Sequence, residues 1–484
     1  MQRTIKIAII GGGASGTITA IHLLNEFKGP LKIYLLEKRQ KGLFRGHAYS
    51  SELEVELLNV PAGKMSIFSD HPLDFYHWLK AKQFDLSGKP ITTDSFVSRR
   101  WFGDYLSERL VEAKAKSTGS SFESVVSETI DISLDKKSNR YKVKMLSGED
   151  LDADYLIFAT GNEPPADILN SREKAILGKK YIADPWTTDP FGNLTPDDDV
   201  LILGSGLSMV DHALSLYIRK HKGKVYSFSR HGHIPLPQLI GQDGKVNFDK
   251  DASDLLNVLR QLRSTISEAE KQGLQWQQII NALRDDTPAI WQRLSVPSRR
   301  IFLNRLKHFW ETHRHRMPHE SAQLLEEMKL AGKFELLAGR RKEISSANGT
   351  SVFQFIPKGG SDIRSINVNY VINCIGPSGD YTKCSNGLIT SLLTKGWMKQ
   401  DELKLGITTG ANGEIIMADG NPLPNTYAIG PLRKATEWES TAIREIKMQA
   451  EQLALDIALN YPESHAWFIA GSLNGTAAMG FTQK

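Results

Sequence analysis

One segment near the start of the sequence constrains the fold more than any other. Residues 4–10 are apolar and rich in β-branched side chains, which predicts a buried strand, and they lead directly into a G-x-G-x-x-G loop at 11–16. Apolar residues at helical spacing follow over 17–27, and a second predicted strand over 31–36 ends at Glu37. Strand, glycine loop, helix, strand and acid in this order predict a Rossmann-like dinucleotide-binding unit.

The residue types in this loop suit a dinucleotide. Gly11 permits the tight turn, Gly13 lets the backbone approach a pyrophosphate, and Gly16 lets the helix pack closely on the strand. The N-terminus of the helix offers free N–H groups to the phosphates, and the acid is placed to bind a ribose diol. The residues predicted to contact this first dinucleotide are Gly11, Gly13, Ala14, Ser15, Gly16, Glu37 and Lys38, together with Gly161 at the end of a later strand.

A second copy of the pattern begins at residue 199. A buried run over 199–203 leads into a second glycine loop, a helix is predicted over 207–219, and a strand over 224–228. Met209 replaces the third glycine, but the spacing is preserved: 37 − 13 = 24 in the first copy, and 230 − 206 = 24 in the second. Arg230 therefore stands where the first copy has its acid.

That exchange of an acid for an arginine predicts different ligands for the two loops. A carboxylate would repel a 2′-phosphate, whereas arginine can bind it in a bidentate manner, so we expect FAD at the first loop and NADPH at the second. A solvated arginine after a strand is the alternative. The residues predicted to contact NADPH are Gly204, Gly206, Leu207, Ser208, Ser229 and Arg230.

The repeat extends beyond the loops. Each copy continues with polar-alternating strands and then a buried strand that ends in glycine, at Gly161 and at Gly376. Two such units, one inside the other, predict an α/β fold of two nested Rossmann-like domains, the plan of two-dinucleotide-binding flavoproteins. The predicted divisions are an FAD-binding domain at 1–165, an NADPH-binding domain at 166–365, an FAD-domain return segment at 366–463, and a C-terminal tail at 464–484.

Two further segments belong to this plan. Residues 251–332 follow helical spacing throughout and predict a helical insertion in the NADPH-binding domain, which would cover a substrate pocket or support the domain interface. The return segment reaches Gly430 and then a long helix predicted over 437–458. Gly430 and Trp438, near the start of that helix, are predicted to lie near the pyrimidine end of the flavin.

Composition excludes several other classes of protein. The 60 basic and 55 acidic residues leave a net charge of +5, which does not indicate a nucleic-acid-binding protein. The two cysteines, Cys374 and Cys384, cannot supply a disulfide framework or a Cys-x-x-Cys redox pair. The sequence shows no signal peptide and no run of about 18 apolar residues, so we expect a cytoplasmic protein without a membrane segment.

The segment 308–319 contains four histidines and two arginines. The histidines, at 308, 313, 315 and 319, lack the spacing of a known metal site, and we expect no metal. Arg314 and Arg316 are interpreted either as a solvated face or as partners of an anion, such as the NADPH phosphates or a substrate carboxylate.

Together these segments resemble the class B flavin-dependent monooxygenase superfamily, and more closely a bacterial family of FAD/NAD(P)-binding oxidoreductases. The resemblance spans residues 5–458. The motifs that carry it are His47-Ala-Tyr, Leu57-Leu-Asn-Val-Pro-Ala, Phe75-Tyr-His-Trp-Leu, Ala183-Asp-Pro-Trp186, Gly206-Leu-Ser-Met-Val-Asp211 and Glu437-Trp-Glu-Ser-Thr-Ala-Ile-Arg-Glu445. Members of known chemistry include amine N-hydroxylases, some of which act on amino acids such as aspartate.

The resemblance implies FAD, NADPH and dioxygen, and an enzyme that forms a C4a-(hydro)peroxyflavin and hydroxylates a small nucleophile such as an amine nitrogen. It implies that residues 43–65 pass the flavin ring, with Asn59 and Lys64 near its polar atoms and Met65 packed on it. No catalytic residue is predicted, because the flavin adduct is itself the electrophile. The fingerprint of Baeyer–Villiger enzymes is absent, which argues against ketone oxygenation.

The sequence departs from many relatives at one position, and it leaves more than one function possible. The Gly-Asp pair that holds the flavin in many relatives is Gly430-Pro431 here, which implies backbone donors instead. Two alternatives remain beside the monooxygenase: a reductase or diaphorase that passes electrons to an acceptor without oxygenation, and a redox-sensing binding protein. The substrate and the oligomeric state are not predicted.

Overall fold

The computed structural model describes residues 3–239, 241, 253–347 and 350–460, except the single residues 52, 87, 136, 188 and 385. In chain order the strands are β1 (Ile5–Ile10), β2 (Leu31–Glu37), β3 (Asp85–Leu86), β4 (Lys89–Pro90), β5 (Ser120–Val126), β6 (Thr129–Asp135), β7 (Arg140–Met145), β8 (Asp150–Ala153), β9 (Tyr155–Phe158), β10 (Tyr181–Ile182), β11 (Val200–Leu203), β12 (Val225–Ser229), β13 (Phe334–Ala347), β14 (Thr350–Pro357), β15 (Arg364–Val368), β16 (Tyr370–Asn373), β17 (Glu414–Ile416) and β18 (Pro422–Ala428).

The helices follow the sequence patterns closely. In chain order they are α1 (Ala14–Glu26), α2 (Asp74–Ala81), α3 (Arg99–Lys116), α4 (Ser171–Leu177), α5 (Leu207–Ile218), α6 (Leu255–Lys271), α7 (Trp276–Ala282), α8 (Thr287–Arg293), α9 (Val296–Ile301), α10 (Lys307–Arg314), α11 (His319–Leu330), α12 (Gly387–Thr394), α13 (Lys434–Glu437) and α14 (Ile443–Leu459). A π-helical turn at Phe302–Leu306 joins α9 to α10.

The strands form two main sheets. The first has the order β17-β18-β9-β1-β2-β5, in which the last five strands are parallel. The second has the order β10-β16-β11-β12-β13-β14-β15, in which the first five are parallel and the rest antiparallel. Strands β6, β7 and β8 form a separate antiparallel meander.

The second sheet is nested within the first along the chain. Strand β18 pairs with β9, although every strand of the second sheet, β10 to β16, lies between them in sequence. The central strands β1 and β11 are almost completely buried, as expected of a sheet covered on both faces. This arrangement confirms the predicted fold class of two nested Rossmann-like units; the residue boundaries of the domains stay predictions.

In the described residues, the predicted insertion at 251–332 consists mainly of helices, from α6 to α11. Its apolar side chains pack around Trp438 of the return segment, and the Trp291 indole N–H donates to the Ala435 carbonyl at 2.9 Å. The core of this cluster consists of Leu255, Val258, Leu283, Ile290, Trp291, Leu294 and Trp438. The insertion, which follows β12 in the second unit, therefore packs against the unit that carries the first glycine loop.

The last helix begins later than the sequence predicts, at Ile443 instead of about residue 437. Trp438 has φ +61° and ψ −57°, and the Glu439 N–H donates to the Glu437 carbonyl at 2.7 Å, which makes a γ-turn. This conformation is strained for a residue other than glycine, and it ends α13 before α14 can begin. The segment 438–442 is therefore irregular, and it lies beside the candidate site.

None of the described helices has both the length and the apolar composition needed to cross a bilayer. The predicted C-terminal tail at 464–484 lies outside the described residues.

Candidate active site

The two glycine loops have nearly the same backbone geometry. Gly11 has φ +109° and Gly204 has φ +112°. A Cβ atom on Gly11 would lie 2.2 Å from the Ala159 carbonyl oxygen, and one on Gly204 would lie 2.2 Å from the Cys374 carbonyl oxygen. In each unit the loop thus crosses the end of the neighbouring strand so closely that only glycine fits.

Each loop leaves the N-terminus of its helix open. The N-cap residues Gly13 and Gly206 have φ/ψ of −76°/−163° and −85°/−167°, and neither offers a side chain to cap the helix. The first N–H groups of α1 and α5 are therefore available to phosphate oxygens.

The loops differ where the second strand of each unit ends. The Glu37 carboxylate accepts from the N–H groups of Gly12 at 3.0 Å and Arg39 at 3.1 Å, so it supports the first loop directly. In the second unit the Ser205 hydroxyl donates to the Ser229 hydroxyl at 2.9 Å. This hydrogen bond connects the loop to the end of the strand, as the carboxylate does in the first unit. Arg230 remains exposed at the rim, where its guanidinium can turn toward a ligand.

The first glycine loop opens into a cleft of about 370 Å³. Of the residues predicted to contact the first dinucleotide, those that line this cleft are Gly11, Gly13, Ala14, Ser15, Glu37, Lys38 and Gly161. Gly16 instead packs beneath the loop, where a Cβ atom would lie 2.0 Å from the Gly11 carbonyl oxygen. The cradle of glycines and uncapped N–H groups fits the pyrophosphate of FAD.

Five other predicted flavin contacts lie outside the wall of this cleft. Met65 is buried in the core of the first unit, and Gly430 donates its N–H to Gln449 at 2.8 Å, so this donor is already used. Trp438 packs in the cluster of the insertion, and Asn59 faces a smaller pocket described below. The Lys64 side chain is exposed. The Gly430 segment reaches the cleft through Pro431, and the N-terminus of α14 reaches it through Thr441 and Ile443.

The second glycine loop opens into a larger groove of about 740 Å³. All six residues predicted to contact NADPH line it: Gly204, Gly206, Leu207, Ser208, Ser229 and Arg230. The groove is strongly cationic. Its described lining contains the cations Arg230, Lys307, Arg340, Arg341 and Lys434 but a single carboxylate, Glu311. This charge fits a ligand with several phosphates.

Three histidines form a stack in this groove. The His231 and His308 rings are 3.7 Å apart at 11°, and His233 lies 5.5 Å from His308. Burial, the nearby Lys358 and repulsion from neighbouring histidines, which for His233 is His313, lower the pKa of all three. Their neutral planar rings come from both the second unit and the insertion, so the insertion helps to form the groove.

The cleft and the groove meet. Four residues line both: Ser208 at the start of α5, and Cys374, Gly376 and Pro377 after β16. Two dinucleotides bound in the cleft and the groove could therefore approach each other at this point. Burial raises the pKa of the Cys374 thiol, which keeps it protonated and unsuited to nucleophilic chemistry.

A third, inner pocket of about 80 Å³ adjoins both the cleft and the groove. It shares Thr441 with the cleft and Glu311, His315 and Lys434 with the groove. Two buried ion pairs that join the insertion to the return segment form its walls. Arg284 binds both oxygens of Glu445 at 2.6 Å, and Arg314 binds both oxygens of Glu439 at 2.7–3.1 Å. We call these pairs the two clamps.

The structure corrects the reading of Arg314 and Arg316 as a solvated face. Arg314 is part of a clamp, and Arg316 is 1% exposed, contacting Asn281 and the Trp276 ring. Neither arginine lies on a solvated face. Charge pairs between segments more than 100 residues apart leave no sequence pattern, which is why their partners could not be predicted.

His315 gives the protein a predicted pH dependence. Burial and the neighbouring Arg314 lower its pKa from 6.5 to about 4. Because the unfolded chain binds this proton more readily, the stabilising contribution is complete above about pH 6.5 and is lost as the pH falls toward 4. We expect His315→Gln to flatten the melting temperature between pH 6.5 and 4, whereas His319→Gln, at an exposed position, will leave the slope unchanged. If the melting temperature falls equally with pH in the wild type and in both variants, His315 is not the group responsible for the pH dependence.

Comparison with known proteins agrees with the dinucleotide-binding geometry of the first glycine loop. A family model described as FAD-NAD(P)-binding matches residues 8–163, which contain the first glycine loop and the strand before Gly161. No curated protein matches the chain significantly. Similarity to solved structures is extensive, although the sequence identities are low.

Three of these structures cover almost the whole chain. The L-lysine 6-monooxygenase of Pseudomonas syringae is 16% identical, covers 95% of this chain and 100% of its own, and has a TM-score of 0.63. The ornithine N-hydroxylase of Kutzneria sp. 744, with reduced FAD, NADP+ and L-ornithine, is 13% identical over 94% and 99%, with a TM-score of 0.58. An FAD-bound cadaverine monooxygenase of Erwinia amylovora is 12% identical over 96% of each chain, with a TM-score of 0.58.

The chain has the fold of a two-dinucleotide-binding flavoprotein. The resemblance inferred from the motifs is thereby confirmed for the fold. Several residues that line the cleft, the groove and the inner pocket were not predicted individually as ligand contacts. In the cleft, His47 and Trp186 belong to motifs that carry the resemblance, and Arg39 follows the predicted contact Lys38; these were the available signals. In the groove and inner pocket, Lys307, Glu311 and Lys434 show no such signal.

Proposed function

We propose that this flavoprotein is an FAD- and NADPH-dependent monooxygenase that hydroxylates the nitrogen of a small amine with dioxygen. Bound FAD would supply hydride acceptance and oxygen activation, and NADPH would supply the hydride. The observation that carries the proposal is the inner pocket, which is small and charged and shares lining residues with both the cleft and the groove. A pocket there can hold an organic substrate beside the reacting ends of both cofactors.

Different parts of the chain would bind the two cofactors. The first loop, Glu37 and the N-terminus of α14 would hold FAD, and the second loop with Arg230 would hold NADPH. The insertion would cover the junction and limit the access of water, because its two clamps fix it to the return segment. The predicted domain boundaries and the cytoplasmic location are retained as parts of this proposal.

The structures of similar fold support an amine as the substrate. By name they act on lysine, ornithine and cadaverine, each of which presents a primary amine. These names guide the choice of test compounds, and the pocket of this protein determines which of them fit.

The test uses the FAD-loaded protein with a panel of amines and amino acids. We expect NADPH oxidation and oxygen uptake to increase with a suitable amine and to yield hydroxylated amine in nearly equal amount. Release of all the oxygen as hydrogen peroxide, whichever amine is added, would contradict oxygenation. Transfer of the electrons to an artificial acceptor without a hydroxylated product would instead support a reductase.

The second loop makes a separate prediction about the nicotinamide cofactor. We expect Arg230→Ala to weaken NADPH binding by about 1–3 kcal/mol, because a charged partner of the 2′-phosphate is lost, and to change NADH binding little. Steady-state KM values for the two cofactors measure this difference. Arg172→Ala removes an exposed arginine outside the groove and serves as the control. Equal losses for NADPH and NADH would show that Arg230 does not read the 2′-phosphate.

A further inference from the structure

The chain makes a tight turn directly after the second strand of the second unit. Strand β12 ends at Ser229, Arg230 follows, and the Gly232 N–H donates to the Ser229 hydroxyl at 3.1 Å. The Ser205 hydroxyl of the second glycine loop lies 2.9 Å from the Ser229 hydroxyl and 2.5 Å from the His233 carbonyl oxygen. The turn is therefore fixed beside the position where a Rossmann-like unit reads the 2′ substituent of the adenosine ribose.

This turn carries two of the three histidines that stack in the groove. We call His231, His233 and His308 the histidine stack. The rings of His231 and His308 cover each other face to face, at 3.7 Å and 11°. Within the described part of the chain, the ring nitrogens of the stack have no hydrogen-bond partner, although all three side chains line the groove. Because imidazole nitrogens bind ligands in the plane of the ring, the stack can hold an anion through the edges of its rings.

The charged groups nearest to the stack are cations. The Lys358 ammonium donates to the His231 carbonyl oxygen at 3.3 Å, and Arg230 precedes His231 in the chain. Burial and these two cations lower the pKa of His231, and burial and Lys358 also lower the pKa of His233 and of His308. The stack is therefore mainly neutral near pH 7 in the absence of a ligand.

The other charged groups around the stack do not offset these cations. Arg340 of β13 adds a further positive charge to the groove, and His313 lowers the pKa of one ring of the stack. Glu311, the single carboxylate among the described lining residues, follows His308 by three positions and lies 3.6 Å from the Lys307 ammonium. Because Lys307 matches the charge of Glu311, an entering anion meets a net positive charge. A phosphate dianion at the stack favours the charged form of the rings and so raises their pKa.

We propose that the histidine stack binds the 2′-phosphate of NADPH together with Arg230, and so helps to select NADPH over NADH. This inference rests on the proposed use of NADPH and adds groups that recognise it. Binding is coupled to the transfer of a proton from solvent to the stack, because a charged imidazole can donate from both of its nitrogens. NADH lacks the 2′-phosphate, so its binding leaves the stack neutral.

His308 gives the helical insertion a part in this selection. It belongs to α10, whereas the other two histidines follow β12. A phosphate held by the stack connects the insertion to the second unit, while the two clamps connect the insertion to the return segment. A substitution at His308 should therefore change the choice of cofactor, although this residue lies 308 − 230 = 78 positions after Arg230.

The experiment measures binding and proton uptake together. The FAD-loaded protein is titrated calorimetrically with NADP+ and with NAD+ between about pH 6.5 and 8, in buffers that differ in their heat of ionisation. We expect proton uptake with NADP+ but none with NAD+, and an NADP+ to NAD+ affinity ratio that rises about threefold to tenfold from pH 8 to 6.5. The phosphate has a second pKa of about 6 and only releases protons in a cationic site, so uptake identifies groups of the protein.

His308→Phe tests the stack without removing a ring. Phenylalanine keeps a planar side chain at this position but has no nitrogen to donate or to protonate. We expect NADP+ to bind about tenfold more weakly at the lower pH, with little change for NAD+ and with most of the proton uptake lost. His319→Phe, at an exposed position outside the groove, is the matched control and should behave as the wild type. Melting temperature and visible absorption establish that each variant is folded and holds FAD.

The possible outcomes separate this inference from the proposed function. An affinity ratio in the wild type that does not change with pH would overturn the inference. Equal losses of NADP+ and NAD+ binding in His308→Phe would also overturn it, and would place the stack against a part that both cofactors share, such as the adenine. Binding requires neither oxygen nor amine, so the expected result without any hydroxylated product would support the inference and contradict the monooxygenase. Hydroxylation supported equally by NADH and NADPH would do the reverse.

Discussion

Gly204→Ala is expected to lower the free energy of unfolding by at least about 2 kcal/mol. The added Cβ would lie 2.2 Å from the Cys374 carbonyl oxygen, at a φ of +112° that residues with side chains rarely adopt. Because β11 and β16 are neighbours in the sheet, relieving this clash requires movement of the strand ends that form the groove. Thermal or denaturant unfolding measures the loss, and a decrease in NADPH affinity should accompany it.

Gly206→Ala tests the contact between the same loop and its ligand without changing the stability of the protein. Gly206 has φ −85°, and a Cβ atom there would meet no protein atom within 4 Å. We expect this variant to unfold like the wild type but to bind NADPH about tenfold or more weakly, because the methyl group occupies the face that a pyrophosphate must approach. If Gly206→Ala binds NADPH normally, the dinucleotide does not lie against this loop.

Arg314→Met is expected to destabilise the protein by about 3–5 kcal/mol. It removes one partner of a clamp whose side chains are 11% and 8% exposed, and so leaves the Glu439 carboxylate buried without a counter-charge. The double variant Arg314→Met/Glu439→Leu should recover much of the loss, because it removes the unpaired charge as well. Unfolding curves for the two variants and the wild type test this coupling.

An exposed ion pair between the same two parts of the chain provides the control. Arg300 in the insertion lies 3.0 Å from Glu402, and the two side chains are 53% and 64% exposed. We expect Arg300→Met to cost less than about 1 kcal/mol, since water and salt screen such pairs. Similar small effects at both positions would mean that the clamp contributes little to holding the insertion in place.

The parts of the fold that depend on local pattern could be predicted from the sequence. The glycine loops, their helices and the strands that follow them are specified within stretches of about 30 residues, where periodicity and turn chemistry act together. The nested order of the two units also follows, because each unit repeats the same series of local patterns. The helical insertion was predicted for the same reason.

The inner pocket and the start of the last helix depend on contacts between distant segments. Helical spacing alone continues through Glu437 and Trp438, and only the packing of Trp438 against Trp291 and Phe302 of the insertion accounts for a strained turn there. The clamps likewise join residues more than 100 positions apart. The predicted flavin contact at Met65 came from family resemblance, and that at Trp438 came from its place at the start of the predicted last helix. The structure places both side chains in packed clusters.

The order of strands in the first sheet has a consequence for how the protein forms during synthesis. Strand β9 ends at Phe158, but its neighbour β18 begins only at Pro422, after the whole second sheet has been made. The second unit's parallel strands and their helices are continuous in sequence and can fold as soon as they leave the ribosome. The sheet that carries the first glycine loop cannot be completed until nearly the entire chain is available, so the first dinucleotide site is the last to be finished.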